Sequence, residues 1–210
     1  MTKILPSIAS ADQLNVQNEL NKIKGTPYLH IDIEDGNFIP NITFGLKMIE
    51  SIVHNNQFYY DIHLLVTNPL SYLNDLLELN IHAVSFHIEA CEYPLQILNK
   101  LRKNNVKAGV AFNFKTPIET IIPFIQSIDY ILIMTSEPDD GSNFFNTEIL
   151  KKISHARKIL PNNIEIWVDG GISEKHLPLV TNAGADTVVM GRAVWKSANP
   201  TESINIYTNL

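Results

Sequence analysis

Short apolar runs alternate with amphipathic stretches along nearly the whole chain. Runs at residues 3–8, 28–33, 59–66, 83–87, 107–112, 130–134, 164–168 and 187–190 read as strands. The stretches between them predict helices near 11–24, 45–54, 93–104, 147–160, 174–183 and 200–207, with two more opening at 67–69 and at 116. Ser10 or Asp12 is placed to cap the first helix, and Gly25-Thr-Pro27 breaks it. Pro69 sits in the first turn of another, and Thr116-Pro-Ile-Glu119 has the spacing of a capping box.

Eight strand–helix units in 210 residues leave about 26 residues per unit, compact but workable for a closed parallel barrel. Strands covered on both faces should be continuously apolar, as Tyr130-Ile-Leu-Ile-Met134 and Thr187-Val-Val-Met190 are. An open doubly wound sheet would favour a glycine fingerprint after its first strand, and Pro6-Ser-Ile-Ala-Ser10 has none. The expectation is therefore an α/β fold, a (β/α)8 TIM barrel, spanning residues 1–210 as one domain without linker or low-complexity segment.

Polar residues interrupt this pattern in an ordered way. In Tyr28-Leu-His-Ile-Asp-Ile-Glu-Asp-Gly36, extended geometry puts His30, Asp32 and Glu34 on one face and Leu29, Ile31 and Ile33 on the other. A histidine and carboxylates on an otherwise apolar strand are costly unless partnered. Two later strands deliver His63 and Asp169 near their C-terminal ends, where barrel enzymes carry their chemistry. Two imidazoles and two carboxylates suit one divalent cation, with zinc, iron and manganese equally compatible. Two aspartates also suit general acid–base chemistry, one removing a proton and the other returning it. The competing reading is four scattered core residues, each satisfied by a neighbour. His87-Ile-Glu89 ends the fourth strand, and a buried, satisfied His87 is the simpler reading; His54, His82, His155 and His176 read as solvated.

Composition narrows the classes. A formal charge of −6 with no Lys/Arg cluster excludes a nucleic-acid surface. The single Cys91 excludes an intramolecular disulfide and has no basic neighbour in sequence to activate it. No apolar run approaches the roughly 18 residues of a membrane span, and the first residues lack a signal-peptide core, so a cytoplasmic protein is expected. Gly170-Gly171 and Gly191-Arg192 follow the last two strands, where barrels often hold phosphate on backbone N–H groups. Glycines there serve equally as turn residues.

Several segments together resemble the ribulose-phosphate 3-epimerase family over nearly the whole chain. They are Pro6-Ser-Ile-Ala-Ser-Ala-Asp12, His30-Ile-Asp-Ile-Glu-Asp-Gly36, Phe38-Ile-Pro-Asn-Ile-Thr43, Asp61-Ile-His-Leu64, His87-Ile-Glu-Ala90, Met134-Thr135 and Val168-Asp-Gly-Gly171. The resemblance implies a (β/α)8 barrel whose metal ligands are His30, Asp32, His63 and Asp169, with Asp32 and Asp169 as the acid–base pair. It implies substrate contacts from Ser7, His63, Met134, Gly141, Ser142, Gly170, Gly171, Gly191 and Arg192. The implied reaction inverts C3 of a ketose phosphate, ribulose 5-phosphate to xylulose 5-phosphate, through an enediolate. The implied partners are a small sugar phosphate and further copies of the chain, with neither nucleic acid nor membrane.

The sequence also departs from that family. Its glycine-rich loop after strand six, usually Asn-Pro-Gly-Phe-Gly-Gly-Gln, is here Glu137-Pro-Asp-Asp-Gly-Ser-Asn143, which puts Asp139 and Asp140 where a phosphate would approach. Arg192 replaces a serine and is the one cation near that end in sequence. Glu34 and Leu65 replace pocket methionines. Two alternatives stand beside the main reading: an epimerase of a different ketose or ketose phosphate, and a barrel that binds metal or sugar without turnover.

Overall fold

The computed structural model describes residues 2–137 and 145–210. Eight strands form one parallel sheet: β1 (Lys3–Pro6), β2 (Tyr28–Glu34), β3 (Tyr59–Leu65), β4 (Ala83–His87), β5 (Lys107–Phe112), β6 (Tyr130–Met134), β7 (Glu165–Asp169) and β8 (Thr187–Met190). Each pairs with its sequence neighbour, and β1 pairs with β8. The remaining seam, between β1 and β2, is joined by a parallel bridge from Ser7 to His30, so the sheet closes into a barrel.

The period of two sorts the side chains. Outward-facing Ile31, Ile62, Val84, Val110, Ile131, Ile166 and Val188 belong to the large core shared with the helices. Inward-facing Leu5, Ala83, Ala111, Tyr130, Leu132, Trp167 and Val189 make a smaller cluster inside the barrel. Its floor is aromatic, with Tyr130 and Trp167 stacked at 4.0 Å between centroids. Below it Glu165 accepts from Trp167 Nε1 at 2.7 Å, Lys3 at 3.2 Å and Lys107 at 3.0 Å, which closes the N-terminal end with satisfied charge. A second set of polar inward residues, His30, Asp32, His63, His87 and Asp169, lies towards the other end, where the barrel opens.

The outer layer is less regular than the hydrophobic pattern predicts. β1 stops at Pro6, and a 3-10 turn at Ile8–Ser10 follows it. The first helix, α1, covers only Val16–Lys22, and neither Ser10 nor Asp12 caps it. Asp12 instead accepts from the Leu14 N–H and the Asn15 amide, holding the turn before the helix. Helices α2 (Leu46–Asn55), α3 (Leu73–Leu77), α4 (Pro94–Lys103), α5 (Ile149–Ile159), α6 (Leu177–Ala183), α7 (Arg192–Trp195) and α8 (Pro200–Thr208) follow. Between β5 and β6 the expected α-helix is a 3-10 helix, Ile118–Ser127, with Pro123 inside it. A proline there has no N–H for the α-helical ladder and its ring crowds the preceding turn. The capping box does not form: Thr116 turns its hydroxyl to Glu89, and Glu119 pairs with His155 at 2.6 Å.

Gly109 on β5 shows how tightly the lumen is filled, since a Cβ at this position would overlap the Tyr130 ring. Gly109→Ala is expected to force that ring aside and to cost about 1–3 kcal/mol, the usual toll of overpacking. A denaturant midpoint unchanged from that of the parent chain would show that the ring has room to move.

Candidate active site and metal centre

The C-terminal mouth of the barrel opens into a cavity of about 720 Å³. At its foot β2, β3 and β7 bring His30, Asp32, His63 and Asp169 together, one ligating atom from each lying within 4.8 Å of every other. His30 presents Nε2, 3.0 Å from Asp32 Oδ1 and 3.7 Å from Asp169 Oδ2. His63 presents Nδ1, 3.2 Å and 3.6 Å from the same two carboxylates. Both imidazoles are fully buried, and Asp32 and Asp169 keep only a narrow exposure towards the cavity.

The parallel register explains the convergence. Asp32 lies opposite His63 across β2 and β3, so two residues of the same inward face meet without any distortion of the strands. Met134 lies opposite Asp169 across β6 and β7, and both line the cavity. Ser7, at the β1–β2 seam, donates its hydroxyl to Asp32 Oδ2 at 2.7 Å. The closure of the barrel and the orientation of Asp32 therefore depend on the same residue.

Behind these four stands a set of groups that the pattern of the sequence left unassigned. Asp61 Oδ2 takes His30 Nδ1 at 2.5 Å, and its Oδ1 accepts from the Tyr130 hydroxyl at 2.9 Å. Asp61 lies two residues before His63, hence on the same inward face, and that spacing was the signal available to find it. His87 is fully buried and partnered, as expected: it lies between His63 and Glu89. Asn41 and Thr43, from the loop after β2, line the cavity with Glu34; Asn41 donates to Glu34 Oε2 at 2.6 Å. Among the solvated histidines expected, His176 is instead half-buried with its ring stacked on Phe145.

The electrostatics follow from burial against charge. Burial opposes a proton on His30, but the charges of Asp32 and Asp61 outweigh it and hold its pKa well above the ordinary imidazole value. His63 moves the same way: burial opposes, and hydrogen bonding to Asp169 and Asp32 prevails. Burial would lift Asp32, yet His30 and His63 keep it far below the usual carboxylate range. His87 has the opposite balance, since burial pushes it down to about 4 and Glu89 compensates only in part. Cys91 is raised by burial, which fits an inert thiol.

The donor set fits a divalent cation. Two imidazole nitrogens and two carboxylates point at one small volume, and hydrogen bonds from Ser7 to Asp32 and from His30 to Asp61 hold two of them in that direction.

The rim above is formed by glycine-rich backbone. Gly170 and Gly171 have φ of +116° and +64°, conformations that side chains rarely adopt. A Cβ on Gly170 would also fall 2.8 Å from the Ser136 backbone nitrogen, and one on Gly191 would overlap the Ser10 hydroxyl. Arg192 lines the same rim. It is joined there by Lys196, four residues on, so Arg192 is not the one cation at this end. Gly141 and Ser142, with Asp139 and Asp140, lie outside the described residues.

Comparison with known proteins agrees with this geometry. A model of the ribulose-phosphate 3 epimerase family matches residues 3–195. The ribulose-phosphate 3-epimerase of Schizosaccharomyces pombe is 34% identical over 97% of this chain and 91% of its own length. That of Bacillus subtilis is 32% identical over 98% of this chain and 97% of its own. The cytoplasmic isoform from Oryza sativa is 33% identical over 97% and 91%. Among solved structures, a mutant tryptophan synthase α-subunit from Pyrococcus furiosus superposes with a TM-score of 0.70 at 14% identity, covering 100% of this chain and 98% of that one. KGPDC from Streptococcus mutans superposes with a TM-score of 0.68 at 10% identity, covering 100% and 96%. At such identities the superpositions speak for the barrel alone. No helix among the described residues is long and apolar enough to cross a membrane.

Replacing Asp61 by asparagine keeps the shape of the group behind His30 but removes its charge. The expected outcome is a loss of divalent-ion affinity of about tenfold, the lower end of what outer-shell changes cost. Unchanged affinity by chelator competition would show that Asp61 serves the fold only.

Proposed function

The chain belongs to the ribulose-phosphate 3-epimerase family, and from that premise we propose that it inverts C3 of a ketose phosphate, with ribulose 5-phosphate and xylulose 5-phosphate as the substrate pair. It is an epimerase acting on carbohydrates. The observation that carries the finer reading is the approach of Asp32 and Asp169 from different strands to one point at the foot of the cavity.

Epimerisation requires one group to take the C3 proton and another to return a proton to the opposite face. Asp32 and Asp169 are the only carboxylates whose oxygens reach the His30–His63 cluster from the cavity side among the described residues, and they are assigned these two roles. A divalent cation held by His30, Asp32, His63 and Asp169 would supply Lewis-acid stabilisation of the charge that develops on the oxygens beside C3. The two aspartates are not equivalent. Asp32 receives the Ser7 hydroxyl and both imidazoles, which fixes its direction and stabilises its ionised form. Asp169 lies further from the imidazoles and is more exposed, so it has more freedom to exchange protons with substrate.

At the rim, backbone N–H groups around Gly170, Gly171 and Gly191 would hold the phosphate, with Arg192 and Lys196 supplying positive charge. Ser7 and Met134 line the walls between the two ends, and His63 contributes from below. Glu34, with Asn41, adds hydroxyl-binding groups to the cavity lining, and this supports a different ketose or ketose phosphate as the second reading. The name of the rice relative extends to this chain the expectation of a cytoplasmic enzyme.

The deciding experiment assays a panel of ketose phosphates, with solvent deuterium entering C3 as the readout. Asp32→Asn and Asp169→Asn should each lower epimerisation by roughly 10²–10⁴-fold, the worth of a general acid or base. Near-parental turnover in both would remove the acid–base assignment.

A second measurement addresses the rim. Arg192→Ser and Lys196→Ser together should raise KM for a phosphorylated ketose by roughly tenfold or more while kcat changes little, since the phosphate is remote from C3. Preference for the unphosphorylated sugar, with no response to these substitutions, would leave the phosphate reading without support.

A further inference from the structure

His63 faces the metal-type cluster through Nδ1 and turns its other nitrogen, Nε2, to His87 Nε2 at 3.0 Å. Two imidazole nitrogens can bond only when one carries the hydrogen and the other a lone pair. The next contact decides which. His87 Nδ1 lies 3.2 Å from Glu89 Oε2, while Glu89 Oε1 accepts from the Asn113 backbone N–H at 2.9 Å and from the Thr116 hydroxyl. An ionised carboxylate only accepts, so His87 must carry its hydrogen on Nδ1 and leave Nε2 bare. His63 must then carry a hydrogen on Nε2, and the proton that its Nδ1 shares with Asp32 and Asp169 is the one a cation would displace, which leaves the Nδ1 lone pair for that cation. The rings are held in this order by packing: His63 and His87 stack at 5.1 Å, and Phe38 packs on His87 at 4.7 Å.

We propose that Glu89 and His87 are positioning residues that set the tautomer of His63 and so make its Nδ1 a metal ligand. His30 has a carboxylate, Asp61, directly behind it; His63 has the same kind of support passed through a second imidazole. The inference rests on the metal reading of the cluster. It reaches beyond the cluster to the loops after β4 and β5, because the backbone N–H of Asn113 fixes the Glu89 carboxylate that starts the relay.

Glu89→Gln tests it sharply. The Asn113 N–H is a backbone donor and needs an acceptor, so the amide must present its oxygen there and its NH₂ to His87 Nδ1. That forces the hydrogen of His87 onto Nε2, against the one on His63, and His63 must move its own hydrogen to Nδ1 to keep the bond. The experiment uses the ¹⁵N-labelled full chain loaded with Zn²⁺, reads imidazole tautomers by long-range ¹H–¹⁵N NMR, and measures Zn²⁺ affinity by chelator competition. The expected result is hydrogen on Nε2 of His63 and Nδ1 of His87 in the parent chain, with Zn²⁺ affinity lowered about 10–100-fold in Glu89→Gln. Thr116→Val, which keeps the carboxylate, should bind like the parent chain. His63 ligating through Nε2 in the parent, parental affinity in Glu89→Gln, or an equal loss in Thr116→Val would each overturn the relay. A parent chain that takes up no Zn²⁺ would overturn the metal reading as well, which separates the two failures. The tautomers of the parent chain decide the matter even if Glu89→Gln fails to fold.

Discussion

The bond between His30 and Asp61 is the constraint on which the upper half of the barrel depends. Both groups are buried, and an ionised carboxylate away from water is tolerable only when its lone pairs are taken up. Asp61 meets that condition with His30 on one oxygen and the Tyr130 hydroxyl on the other. Tyr130 in turn needs the space that Gly109 leaves and stacks on Trp167, which forms the floor of the lumen. A single line of contacts thus runs from the packed floor of the barrel to the imidazole that faces the cavity. The packing that stabilises the barrel also fixes the direction of His30 Nε2. Rigidity of this kind is what a site needs if its groups are to meet a substrate without reorganising.

The same logic explains what could be read from the residues beforehand. The strands and the barrel were legible because a parallel sheet covered on both faces demands continuous apolar runs, and departures such as His30, Asp32 and His63 stand out against them. Their meeting was legible because alternation fixes the face and the strand ends fix the height. Asp61, named only within a family segment, received no role although it follows the same alternation, because near the start of an apolar run it looks like an ordinary boundary residue. Tyr130 was hidden for a related reason: within Tyr130-Ile-Leu-Ile-Met134 nothing distinguishes a tyrosine that packs from one that also donates. The outer layer was less legible. A capping-box spacing at Thr116 predicted a helix, but Glu89 offers Thr116 a carboxylate acceptor, and Pro123 breaks the α-helical ladder further on. Local propensity lost there to a tertiary hydrogen bond and a missing N–H.

The loops after β7 and β8 show the opposite balance, with backbone shape deciding before side chains do. The positive φ of Gly170 and Gly171 and the close approach of Gly191 to Ser10 leave the chain no room for larger residues. Spacing alone showed glycines equally suited to turning the chain; the structure adds the positive φ of Gly170 and Gly171 and the crowding at Gly170 and Gly191 that make them necessary. Lys196 was missed because it lies past Arg192 in sequence, and only the short α7 helix returns it to the rim one turn later. Charge at this end is therefore a property of a helix face rather than of one substituted position.

The two ends of the barrel are closed and open for reasons that belong to the same set of strands. At the N-terminal end Glu165 gathers Lys3, Lys107 and the Trp167 indole, so charge there is spent on sealing the lumen. At the C-terminal end the inward positions carry His30, Asp32, His63, His87 and Asp169, and the carboxylates among them keep a narrow exposure to the cavity. Because the floor is packed, a ligand can reach these groups only from the side of the βα loops. Water that reaches Asp169 must come by the same route, past the rim that holds Arg192 and Lys196. A sugar phosphate anchored at that rim would cover the carboxylates as it bound, lower the dielectric around them and strengthen each interaction the reaction needs.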